Sequence, residues 1–88
     1  MREMQSKSGK TTVKVVRHLI LKNFWEYYIV DDPELEFDAD SDIQYAYAVG
    51  VAQEFGTISM KEFKPFIISD TTKLEEVAPA PNWQWIDN

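Results

Sequence analysis

Seven of the twelve residues from Asp31 to Asp42 are carboxylates (Asp31, Asp32, Glu34, Glu36, Asp38, Asp40 and Asp42), and only Ile29-Val30 separates them from the aromatic run Phe24-Trp25-Glu26-Tyr27-Tyr28. The aromatic run favours a strand. Like charges packed this closely repel one another and hold water, so the acidic stretch reads as a solvated loop leaving that strand. The loop holds nearly half of the chain's 15 acids and dominates the charge on one side of the molecule.

Eighty-eight residues suffice for one core, and 44% hydrophobic content with twelve aromatics supplies the material for it. The chain contains no cysteine, which excludes disulfides, thiolate metal sites and cysteine nucleophiles and fits a cytoplasmic protein. Its apolar runs fall short of the roughly 20 residues that span a bilayer, so no membrane association is expected. The polar residues 1–10 read as a flexible N-terminal arm, and 11–88 as a single α+β domain. Charge is split: residues 1–30 carry a net +4 and residues 31–88 a net −10, giving −6 for the whole. That favours a protein partner with a basic surface, or opposite-sign docking of two copies, over a DNA phosphate backbone.

Thr11–Leu21 and Phe24–Val30 read as a long hairpin around Asn23, which tolerates positive φ. A three-residue loop places Val13, Val15, Arg17, Leu19 and Leu21 on one face with Trp25, Tyr27 and Ile29, and sets Lys14 opposite Asp32. In Ile43–Ala52, Ser41 and Gln44 have the spacing of a capping box, yet bulky residues alternate with small ones throughout. Alternation with glycine inside favours a strand lying against something close on its small-residue side. Gly56 is then expected to turn the chain into a short fourth strand at Thr57-Ile58. Ser59 and Glu62 cap a brief helix reaching about Ile68. Ala78-Pro79-Ala80-Pro81 is an extended spacer. Trp83-Gln84-Trp85-Ile86 follows as an extended segment with both indoles on one side, expected to fold back on the sheet or dock on a second copy.

Asp32-Pro33-Glu34, Val49-Gly50-Val51 and Glu54-Phe55-Gly56-Thr57-Ile58-Ser59-Met60-Lys61-Glu62-Phe63 are similar in layout to a family of small plasmid- and phage-borne domains of unknown function. That family pairs an aromatic strand and an acidic turn with a Gly-containing strand and a Glu-x-Gly-aromatic-x-Ser-Leu-x-Glu-Leu segment. The resemblance covers Phe24–Phe63 and departs from the pattern at Thr57, where an aromatic is usual. It implies a strand–turn–strand–helix order and an origin on a mobile element, and it brings no catalytic residues.

Motifs with chemical meaning are few. Ser8-Gly9-Lys10-Thr11 resembles the end of a phosphate loop, but that loop needs a glycine where Met4 stands and a helix after it, whereas a strand follows. Asp38-x-Asp40-x-Asp42 copies half of a calcium loop without the glycine and glutamate that complete it, leaving only an irregular cation site as an alternative. His18 is the single histidine and reads as a strand residue. Solvated carboxylates do not acquire the raised pKa of a general acid. The expectation is a non-enzymatic protein-binding module without cofactor or metal, an adaptor or inhibitor of a host protein carried by a phage or plasmid. Its candidate contacts are Asp32, Glu34, Glu36, Asp38, Asp40, Asp42, Trp83 and Trp85. The alternatives are a single-stranded nucleic-acid binder using Lys14, Arg17, Lys22 and the hairpin aromatics, and a structural subunit of a larger assembly.

Overall fold

A computed structural model describes residues 1–31 and 38–86. Among the described residues the chain forms β1 (Arg2–Ser6), β2 (Thr12–Leu21), β3 (Glu26–Asp31), β4 (Ile43–Val49), β5 (Gln53–Ser59), α1 (Met60–Phe63), a 3-10 turn over Lys64–Phe66, β6 (Ile67–Thr71), a second 3-10 turn over Leu74–Glu76, and β7 (Trp83–Ile86). Every strand pairing is antiparallel. The protein is thus a small antiparallel sheet with one short helix, and it has more strands than the hairpin-plus-two expected.

The strand order is β5-β4-β3-β2-β1-β7, with β6 paired to β2 off that path. One edge of β2 lies along β3, and the other edge forks: Thr12–Val15 pair with β1, and His18–Leu21 pair with β6. At the fork the β2–β3 register shifts between Val15 and Arg17, a bulge at Val16. A bulge turns the following side chains to the opposite face. The expected face therefore holds for half of the hairpin only. Arg17 stands opposite Ile29 and Leu19 opposite Tyr27, whereas Val15 pairs with Val30, and Lys14 meets Asp31 rather than Asp32. The fork is tied by Arg17, whose Nε donates to Asp70 Oδ1 of β6 at 2.6 Å while Nη2 donates to Oδ2.

Both faces of the sheet are buried. One carries Met4, Val15, Tyr28, Val30, Tyr47, Leu74, Ala80 and Trp83; the other carries Leu19, Leu21, Ile29, Ala46 and Ile58 under Met60, Phe63 and Ile67. The sheet curls around the first face, because Trp83 of β7 reaches across to Tyr47 (ring centroids 5.0 Å) and Phe55 (6.1 Å) at the far end of the strand order. Gln53 Nε2 also donates to Pro81 O at 2.9 Å. The spacer crosses this face, where Tyr28 Oη donates to Ala78 O at 2.9 Å and Ala80 is buried. The WQWI segment is a strand on the domain's own sheet, paired with β1.

Three other expectations are corrected. Residues 2–6, read as an arm, form a strand between β2 and β7, with Met4 fully buried opposite Val13 and Trp85. The phosphate-loop look-alike is the β1–β2 turn, closed by Ser6 N to Thr11 O (2.9 Å), with Gly9 at φ 77. The turn after β4 falls at Gly50–Ala52 rather than at Gly56, which lies inside β5 opposite Ala46. There Phe55 stacks on Tyr45 (ring centroids 5.7 Å, 5°) and meets Tyr47 at a tilt (4.7 Å, 56°), cross-strand contacts that favour continued pairing. Finally, Ser59 Oγ does accept from Glu62 N, but the helix ends at Phe63 and β6 begins at Ile67, because Pro65 confines the chain to a short 3-10 turn.

Candidate interaction surface

The acidic segment is partly structural. Asp32, Glu34 and Glu36 lie outside the described residues. Asp38 and Asp40 are exposed and organised by turns: Asp38 Oδ1 accepts from Asp40 N at 2.9 Å, and Asp38 O accepts from Gln44 Nε2 at 2.8 Å. Asp42 does something else. Its carboxylate accepts from Ser59 Oγ and from the Lys61 backbone N–H, each at 2.8 Å, and its carbonyl accepts from Met60 N at 2.8 Å. It therefore holds the start of α1 against the foot of β4. The Lys61 N–H, then the Ser59 hydroxyl, keep its carboxyl below the usual aspartate range.

The two tryptophans expected as contacts differ. Trp83 is buried in the first core, and its role is packing. Trp85 is half-buried, donating Nε1–H to Val77 O at 2.8 Å, with the Arg2 guanidinium 4.5 Å from its ring centroid. The basic strand proposed for nucleic acid is neutralised in part, since Arg17 holds Asp70 and Lys14 faces Asp31 across the ladder. His18 is a strand residue in the first core, its Nε2 hydrogen-bonded to Glu26 Oε1 at 2.9 Å and its ring 4.7 Å from that of Tyr28. Burial, and then the Glu26 carboxylate, push the Tyr28 phenol up, so it remains a hydrogen-bond donor to Ala78. Among the described residues no cluster of His, Cys, Asp and Glu could hold a metal ion, and no helix is long and apolar enough to cross a membrane.

Among the described residues six large apolar side chains stand exposed: Ile43 at the acidic-loop end of β4, Met1 before β1, Ile68 in β6, and Phe24, Val51 and Phe66 at the end opposite the acidic loop. The register places the β2–β3 turn, the β4–β5 turn and the Lys64–Phe66 turn together, since Glu26 pairs with Val49 and Leu21 with Ile67. They carry Phe24, Val51 and Phe66, which are 78%, 96% and 53% exposed. The three turns are joined, with the Trp25 indole packed on Gly50 and Lys22 N donating to Phe66 O at 2.8 Å. Phe24 also holds a left-handed backbone (φ 66), a conformation that a bulky residue adopts at a cost. Leu21 N donates to Trp25 O (3.0 Å) around residues 22–24, and three-residue hairpin loops commonly put their last residue in this region. The three-residue loop read from the sequence could therefore have pointed to Phe24. Asn23 instead uses its side chain, accepting from Trp25 N at 3.0 Å.

A groove of about 350 Å³ opens at the acidic end, with Val13, Val30, Tyr45 and Phe55 as its apolar walls and Lys14 and Asp31 at its rim. Comparison with protein-family models, with curated proteins and with solved structures finds no match.

Proposed function

We propose that this protein is a non-enzymatic protein-binding module, an adaptor or inhibitor, that docks through the apolar end formed by Phe24, Val51 and Phe66. The observation that carries the reading is their joint exposure on three adjoining turns, one of them in a strained conformation. Large exposed apolar side chains set side by side mark interaction surfaces, whereas isolated ones do not. The hairpin loop sets a left-handed backbone at residue 24 whichever residue stands there, and a glycine would meet that demand at less cost than the exposed phenylalanine does. The net charge of −6 and the exposed Asp38 and Asp40 favour a partner with a basic surface, steered by charge and held by the apolar end. The nucleic-acid alternative is weakened because Arg17 is already ion-paired with Asp70.

The test is affinity capture from lysate at low and high salt, with wild type beside a Phe24→Ser/Val51→Ser/Phe66→Ser variant. The reading expects a protein retained by wild type, released by the triple variant at both salt concentrations, and bound more slowly after Asp38→Asn/Asp40→Asn. Identical capture by wild type and triple variant overturns it.

A further inference from the structure

Beside the apolar end, the second face of the sheet carries a groove that the packing of Met60, Phe63 and Ile67 leaves open among the described residues. It occupies about 200 Å³ over β4 and β5. The register explains its shape. Tyr27, Ala48 and Glu54 form one row across three strands, and Ala46 pairs with Gly56 in the next row, so the floor is made of small residues. A Cβ added at Gly56 would meet nothing within 4 Å. The aromatic wall is Trp25, Tyr27 and Phe63, with Trp25 and Tyr27 centroids 6.5 Å apart at 25° and Phe63 edge-on to Tyr27 at 4.9 Å. Among the described residues, the charged side chain lining it is Glu54, and no lysine or arginine lines it.

We propose that this groove takes one arginine side chain of a basic partner, its guanidinium lying against the aromatic wall with the Glu54 carboxylate as its counter-ion. The proposal rests on the protein-binding reading above and names the group recognised. Volume supports a single side chain, because small-molecule sites occupy roughly 300–1,000 Å³. Chemistry supports a cation, because aromatic faces attract cations and a lone carboxylate at their edge selects for charge. Arginine is favoured over lysine because its planar, weakly hydrated head stacks on rings and sheds water more readily. The groove adjoins the apolar end through Trp25, which neighbours Phe24 in the chain and packs on Gly50. An arginine flanked by apolar residues would engage both.

The test uses a capped pentapeptide with one arginine among glycines, and its citrulline counterpart, titrated into ¹⁵N-labelled protein. The arginine peptide is expected to shift the Trp25 indole N–H and the Gly56 amide, and the citrulline peptide to do so at least tenfold more weakly. Gly56→Val fills the floor with a residue better suited to a strand, so it should melt no lower than wild type and still lose the response. Glu54→Gln should weaken binding several-fold. Equal response to both peptides, or an undiminished response in folded Gly56→Val, overturns the proposal. Shifts confined to the Asp38 and Asp40 amides overturn it too but leave the protein-binding reading standing, since that reading fails only when the triple variant captures as wild type does.

Discussion

The Trp25 indole occupies the space that a side chain on residue 50 would need: a Cβ at Gly50 would lie 2.2 Å from Trp25 Cδ2. This contact joins the β2–β3 turn to the β4–β5 turn and sets the end of the sheet at which Phe24 and Val51 stand. Gly50→Ala is expected to cost about 1–3 kcal/mol through overpacking. In a Trp25→Ala background the cost should shrink to a few tenths of a kcal/mol, because the clashing partner is gone. Urea titrations of the four proteins measure this, and equal costs in both backgrounds would mean that the two residues do not meet.

Met4 distinguishes a strand from an arm. It is fully buried between Val13 and Trp85, so Met4→Ala should cost about 2–5 kcal/mol in chemical denaturation. A loss within about 0.5 kcal/mol, the ordinary value for a surface site, would return residues 1–6 to the solvent.

Asp42 gives a pH dependence with a definite sign. Its carboxyl titrates below the ordinary 3.8 because the Lys61 N–H and the Ser59 hydroxyl bind the ionised form. A depressed carboxylate contributes stability that is fully present above its unfolded pKa and disappears as pH falls through the lower folded value. Asp42→Asn keeps one acceptor oxygen for two donors, so it should melt lower than wild type at pH 7. That difference should hold down to about pH 4 and close below it. A difference that stays constant to pH 2.5, or none at pH 7, contradicts the assignment.

The sequence carried some of these relationships and concealed others for physical reasons. Alternation in Ile43–Val49 and the three-residue loop at 22–24 predict β4 and the turn end of the hairpin, because side-chain period and turn length fix the register there. The Val16 bulge is invisible, since Val13, Val15 and Val16 are all apolar and fit either face. In β1, Met4 is the one apolar residue in a polar stretch, so neither composition nor period marks a strand that its neighbours create by pairing on both sides. Seven acids in one segment look alike, and only the return of the chain to Ser59 and Lys61 sets Asp42 apart. Among the aromatics, Phe24 and Phe66 look no different from the core rings Tyr28 and Trp83, and exposure is decided by the turns they occupy.

Phe24→Gly separates folding from binding. Glycine adopts φ 66 freely, and the lost ring is 78% exposed, so stability should hold or rise by up to about 1 kcal/mol. On a domain of this size that is a shift of up to about 4–8 °C in melting temperature. A marked loss of stability would make Phe24 a structural residue.

Because this substitution is expected to leave the fold intact, its effect on capture bears most directly on the proposed apolar end. Partner retained by immobilised Phe24→Gly and by wild type should be compared at equal loading, well below both melting points. A central aromatic anchor contributes at least about 1–2 kcal/mol to an interface, so the glycine variant should retain partner about tenfold less strongly. Equal retention by a glycine variant that melts at or above wild type would contradict the account.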